Sequence, residues 1–180
     1  GAEAAGAMQV SFSIANIAWM ITVAIGSAAT IVVAHVYGAG QRKELRPTIK
    51  ATYHLGLMWA LIMSFVFIFF RKDIASIFTD NYEVIALTSR LMLLIAIYQF
   101  SEAVQGLSIS MLRGLQDVKV IMPIVACSYL LLNIPIGCTL AYTFDMGCRG
   151  LTIGLIIGLS SAALLTSLRL FHTLRRFERV

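Results

Sequence analysis

Tyr98, Glu102 and Gln105 stand four and three residues apart, so a helix would put a phenol, a carboxylate and an amide on one face. Gln99 and Ser101 lie to the sides of that face. Such a set offers oxygen ligands to a small hard cation, and donors and acceptors able to hold a carboxyl group in either protonation state. The surroundings make the carboxylate costly. No other charge interrupts the residues between Arg90 and Arg113. At about 1.5 Å per residue, Glu102 lies roughly 16–18 Å from either arginine, about the middle of a bilayer core some 30 Å thick. A carboxylate at that depth costs on the order of 3 kcal/mol on insertion scales, so a chain that carries one there has a use for it. The plain alternative is a static ion pair. No other uncharged run supplies a lysine or arginine at that depth, and His35 and His54 both sit near the ends of theirs. Unless a partner lies outside this chain, Glu102 must be protonated, hydrated in a cavity or bound to a cation.

The elements that must position this face are membrane spans. The 180 residues are 59% hydrophobic and only 13% charged, with a mean hydropathy of +0.85, whereas soluble domains run near a quarter charged. An all-α membrane protein forming one membrane unit is expected. Five runs are long enough to cross a bilayer: a helix over about 7–37, then Ala51–Phe70, Leu91–Leu112 with its helix starting near 84, Val120–Phe144, and Gly150–Leu168 extending to about 171. Between the second and third, KDIASIFTDNYE reads as a short amphipathic interfacial turn or helix.

The net charge of +5 does not point to nucleic acid, because the basic residues cluster in short loops between apolar runs. With loop 41–50 cytoplasmic, that side carries Arg42, Lys43, Arg46, Lys50, Arg113, Lys119, Arg169, Arg175, Arg176 and Arg179, and the other carries Arg71, Lys72, Arg90 and Arg149. Ten against four is a positive-inside bias, and it places the C-terminus in the cytoplasm. The chain opens at Gly1 in an apolar, Ala-rich stretch without an initiator Met or a signal peptide. It is expected to begin partway through a larger membrane protein.

Other features read as structure. Pro47 and Pro123 fall early in their helices, whereas Pro135 lies inside the fourth span and should remove a backbone hydrogen bond and bend it. Gly150, Gly154 and Gly158 form a flat stripe for close helix packing, and Gly26–Thr30 forms a similar stretch in the first span. Gly38–Gly40 closes a helix, since it follows a span and lacks the ending of a nucleotide-binding loop. Cys127, Cys138 and Cys148 have neither disulfide nor zinc spacing and read as small packing residues. Trp19 and Trp59 read as packing or lipid contacts. No Ser/His/Asp or Cys/His set shares a membrane depth, which leaves an intramembrane hydrolase unsupported.

Several stretches resemble one family. AMQVSFSIANIAWMITVAIGSAATIVVAHVYGAG, AIYQFSEAVQGLSISMLRGLQD, and LLNIPIGCTLAY followed by GLTIGLIIGLSSAALL are together similar to the C-terminal half of a multidrug and toxic compound extrusion (MATE) transporter of the NorM type. The likeness covers nearly the whole chain. It implies twelve helices in two six-helix lobes, export of amphipathic or cationic drugs, no cofactor beyond Na⁺ or H⁺ as coupling ion, and a bacterial inner-membrane location. By resemblance the five spans are helices eight to twelve, most of the C-terminal lobe. Glu102 falls where such members carry an aspartate of the cation site, and Tyr98 matches a tyrosine one turn earlier. The expected coupling site is thus Glu102 and Tyr98, with Gln105 as neighbour, and Glu102 and Tyr98 would bind Na⁺. Glutamate in place of aspartate lengthens the arm by one methylene, and Met8 stands where many members have histidine. Partners implied are membrane lipids, the drugs, an N-terminal lobe and a seventh helix with a second acid. A lipid-linked-precursor flippase of related architecture would need basic residues at depth, which the spans lack. A non-transporting scaffold would keep Glu102 only for folding or assembly.

Overall fold

The computed structural model describes the backbone of residues 2–178 and the side chains of residues 5–177. Among these there is no strand. The chain forms α1 (Ala2–Gly38), α2 (Arg42–Phe69), α3 (Arg71–Phe78), α4 (Tyr82–Gly114), α5 (Ile121–Thr143) and α6 (Cys148–Glu178). All but α3 are long and apolar enough to cross a membrane. The short α3 fills the segment expected to lie at the interface.

The helices outrun the apolar stretches that announce them. Helix α2 begins at Arg42, so the charged segment RKELRPTIK is its first turns and not a loop. Pro47 therefore lies inside the helix, beyond the first turn where its missing N–H would cost nothing. Hydropathy marks where the chain meets lipid; backbone hydrogen bonding continues past that limit. Gly40, at φ +69°, ends the preceding turn, and the Gln41 amide donates to the Val36 carbonyl at 3.1 Å, a left-handed helix stop of the kind the glycines suggested. Asn81 caps α4 by accepting from the Glu83 and Val84 amides at 3.0 and 3.4 Å.

Helix α4 is the centre, packed against α1, α2, α3 and α6. Its buried face meets the others in successive layers. Val84 and Leu91 pack with Ala7, then Met92, Ile95 and Ala96 with Ala15, Ala18 and Phe67, then Leu107 and Met111 with Val33 and Ile49. Small residues let backbones close in, as expected in lipid, where apolar burial alone does not drive helices together. Gly106 receives the Trp19 ring, and Gly114 lies against the Thr30 carbonyl, leaving a Cβ only 2.8 Å from it. The outward faces remain apolar: Met20, Leu61, Phe65 and Leu131 are all at least 60% exposed, the inverse of a soluble protein. The Trp59 indole donates to the Ala18 carbonyl at 3.1 Å, so both tryptophans serve packing.

Two serine pairs tie α4 to α6, Ser101 with Ser160 at 2.7 Å and Ser108 with Ser167 at 3.0 Å. Both pairs are 59 residues apart in sequence, which makes the helices parallel. Tyr53 of α2 joins the second pair, its hydroxyl 2.7 Å from Ser108 Oγ. Beyond the end of α4, Arg169 donates through Nε and Nη2 to the two Asp117 oxygens at 2.8 and 3.1 Å, and the Thr173 hydroxyl adds a bond of 2.8 Å. The Arg169 hydrogen bond holds the Asp117 carboxyl below its ordinary value, against a smaller upward push from desolvation and with help from Thr173. A carboxyl depressed in the folded state stabilises above its unfolded value near 3.9, and that contribution is lost as pH falls through the lower folded value. Asp117→Asn is therefore expected to cost about 1 kcal/mol near neutral pH, a third-exposed arginine limiting the effect. The difference in unfolding midpoint between wild type and variant in detergent should shrink as pH falls through the depressed folded value; a difference that does not change with pH would show that the ion pair contributes nothing.

Helix α5 carries the least regular backbone. It has π-helical turns at Ser128–Asn133 and Thr139–Thr143 on either side of Pro135. The proline ring and missing N–H are absorbed by widened turns within one continuous span, where a simple bend was expected. The Thr139 hydroxyl donates to the Pro135 carbonyl at 2.7 Å. The glycine stripe of α6 packs on this helix as expected: Gly150 faces the Ala141 backbone, Gly154 faces Gly137, and Gly158 faces Asn133. The cysteines depart from expectation. None is in a disulfide, but Cys127 and Cys138 are exposed on the outward face of α5 and only Cys148 is half-buried. An apolar thiol is tolerated on a lipid-facing surface, so low polarity alone did not predict an interior position.

Candidate functional site

Glu102 lies near the middle of α4, and the Tyr98 hydroxyl one turn earlier donates to its Oε1 at 2.8 Å. The i, i+4 spacing that suggested this pair is therefore realised as a hydrogen bond. Tyr98 is held in turn by Phe12 of α1, edge to face with centroids 6.4 Å apart. The other carboxylate oxygen, Oε2, is buried and has no hydrogen-bond partner among the described residues. No lysine, arginine or histidine pairs with Glu102 among them either. The site thus holds a carboxyl group half satisfied by a neutral phenol, with one oxygen left to take a proton or a cation.

Gln105 brings a partner from another helix to the expected face, since Tyr129 also lies within electrostatic reach of Tyr98 and Glu102. It is buried and reaches Tyr129 on the first π-helical turn of α5. Spacing along one helix could not reveal this, because the partner comes from a helix that α4 scarcely touches elsewhere. Gln105 and Tyr129 thus join α4 to α5 one turn from Glu102. Ser101, beside Glu102, is engaged with Ser160 on α6. Gln99 is fully buried, and neither of its amide atoms has a partner among the described residues, which costs free energy in an apolar interior.

Tyr98 and Glu102 supply two oxygens, three with Oε2. No group of three or more His, Cys, Asp or Glu residues converges among the described residues. The donor chemistry fits part of a shell for Na⁺, and equally a carboxyl group that gains and loses a proton. His35 and His54 lie exposed; His35 is in the last turn of α1 as expected, whereas the early start of α2 at Arg42 leaves His54 near the middle of that helix. The basic cavity that a pyrophosphate carrier would need is not built around Glu102.

Five long apolar helices around one half-satisfied mid-span carboxyl define an all-α integral membrane protein with an ionisable site at depth. The profile of the MatE family matches residues 1–139, and the chain belongs to that family. Among curated relatives, it is 34% identical over 180 residues to the multidrug resistance protein NorM of Vibrio vulnificus, covering 98% of this chain and 39% of the relative. It is 34% identical over 174 residues to the multidrug resistance protein MdtK of Edwardsiella ictaluri, covering 94% and 38%. The chain thus spans about two fifths of the length of these relatives. The eukaryotic MATE transporter AtDTX14 has the same fold over 98% of this chain and 41% of its own, with a TM-score of 0.90 at 22% identity. A MATE crystal structure in a bent conformation gives 0.88 at 15% identity, over 96% and 38%.

Proposed function

We propose that this chain is most of the C-terminal lobe of a cation-coupled multidrug exporter of the bacterial inner membrane. In this reading Glu102 is the coupling carboxyl, Tyr98 its hydrogen-bond partner, and Gln105 the neighbour that transmits its state to α5 through Tyr129. The observation that carries the proposal is the buried Oε2 without a partner beside a Tyr98-bonded Oε1. A carboxyl so placed is poised between two occupancies. Na⁺ or H⁺ arriving at Glu102 favours the conformer that releases drug outside, and drug bound from the cytoplasm competes with or resets that occupancy. Either ion can shift the conformers only by its difference in affinity for the two. The MatE family match and the multidrug resistance names of the relatives support the class of activity. The loop charges support a cytoplasmic C-terminus.

The test is made on the intact protein that carries this chain. Its expression in bacteria lacking their own exporters is expected to lower the accumulation of a fluorescent cationic dye several-fold, an effect abolished by collapsing the ion gradients. Accumulation unchanged by expression would overturn the reading. Tryptophan fluorescence of the purified protein, titrated separately with Na⁺ and with H⁺, identifies which ion binds.

A further inference from the structure

The end of α4 away from Arg113 carries a second polar feature that the transport reading does not use. A cavity of about 290 Å³ lies where the start of α3 folds back against α4. Arg71 and Lys72 of α3 and Arg90 of α4 line it, together with Tyr82, Ile85 and Ala86. These are three of the four basic residues that the chain places on this side of its spans; Arg149 is the fourth. None of the three has an ion-pair partner among the described residues. Asp73 and Glu83, the acids nearest in sequence, do not line the cavity. Three unpaired cations converge on a partly apolar recess, and like charges repel unless an anion sits between them.

The position restricts what that anion is. Arg90 is twelve residues before the mid-span Glu102, about 18 Å along the helix, just beyond the roughly 15 Å half-thickness of the bilayer core and so at headgroup depth. Beside the cations run exposed apolar side chains: Phe69 at 64%, Phe70 at 54% and Ile77 at 79% exposure. A basic recess opening onto an apolar flank fits a molecule with an anionic head and a hydrocarbon tail. We propose that this cavity binds the phosphate headgroup of an anionic phospholipid, held by Arg71, Lys72 and Arg90 while its acyl chains lie along the phenylalanines where α2 meets α3. Assigning it to the outer leaflet rests on the orientation given above; the recognition chemistry does not.

Native mass spectrometry of the intact protein, released from detergent containing equal phosphatidylglycerol and phosphatidylcholine, reads this directly. Each cation near the surface is worth roughly a fivefold preference for the anionic lipid. Wild type is expected to retain phosphatidylglycerol at least ~10-fold over phosphatidylcholine. Arg71→Gln/Lys72→Gln/Arg90→Gln should bring the ratio near unity, and Arg71→Lys/Arg90→Lys should keep it, because charge and not shape is read. Equal retention of the two lipids by wild type, or an undiminished preference in the triple glutamine variant, would overturn the proposal. Full displacement of the lipid by millimolar inorganic phosphate would also overturn it, by showing a free-anion site. Lipid retention is measured without transport, so this result and the export result can fail independently.

Discussion

Glu102→Gln is expected to reduce cation-driven export by the intact protein at least ~10-fold while leaving the folded protein abundant. Glutamine has nearly the size of a protonated glutamate, and its amide oxygen can accept the Tyr98 hydroxyl now bonded to Oε1 at 2.8 Å. The packing around Phe12, Tyr98 and Ser101 should therefore survive. What disappears is the second state. A group that neither ionises nor binds Na⁺ as an anion has the same affinity for both conformers, and a ligand without differential affinity shifts no equilibrium. Glu102→Asp makes the complementary test. It keeps the charge and withdraws it by about 1.5 Å, so the bond to Tyr98 weakens while coupling is partly retained. Dye efflux from vesicles under an imposed Na⁺ or H⁺ gradient separates the outcomes. Full efflux by Glu102→Gln would remove the coupling role and leave the carboxyl a structural residue. Loss of the folded protein on that substitution would point to a scaffold.

How far the sequence foretold this site follows from what each residue interacts with. Glu102 and Tyr98 were legible because their contact is local, one helical turn within α4. The five spans were legible because an uncharged helical run of some 20 residues matches the thickness of a bilayer core. Gln105 was placed on the right helix, but its partner was not foreseen. Tyr129 is brought to it by the widened turn at Ser128–Asn133, and no periodicity in the chain signals a π-helical turn. The Asp117–Arg169–Thr173 clasp was equally hidden: the charge count treated Arg169 as one of ten cytoplasmic cations, whereas its guanidinium is committed to Asp117. The start of α2, nine residues before its apolar run, was hidden for a related reason. Arg42–Lys50 is hydrophilic because it lies outside the lipid, and helical because backbone bonding ignores that boundary.

The glycine stripe gives the largest expected effect on folding, through a contact whose two sides should respond differently. Gly154 of α6 and Gly137 of α5 meet backbone to backbone. A methyl group on Gly154 would be driven into the Gly137 backbone, 2.6 Å from its nitrogen, and to 3.0 Å from the Asn133 carbonyl oxygen. None of these is the end of a flexible side chain, so the helices themselves must separate. That separation would reach the neighbouring contacts of Gly150 with Ala141 and Gly158 with Asn133. Gly154→Ala is therefore expected to cost about 3 kcal/mol or more, the upper range for overpacking. A methyl group on Gly137 instead points along the interface, where the nearest atoms are Gly154 Cα at 3.7 Å and Leu151 at 3.8 Å, ordinary van der Waals contact. Gly137→Ala should be neutral, or stabilising by up to ~1 kcal/mol, because glycine in a helix interior is disfavoured relative to alanine by that amount. Unfolding midpoints and monodispersity of the intact protein in detergent would compare the two. Equal sensitivity at both positions would mean that α5 and α6 are not packed in this register, and with it the placement of Tyr129 beside Gln105 would fall.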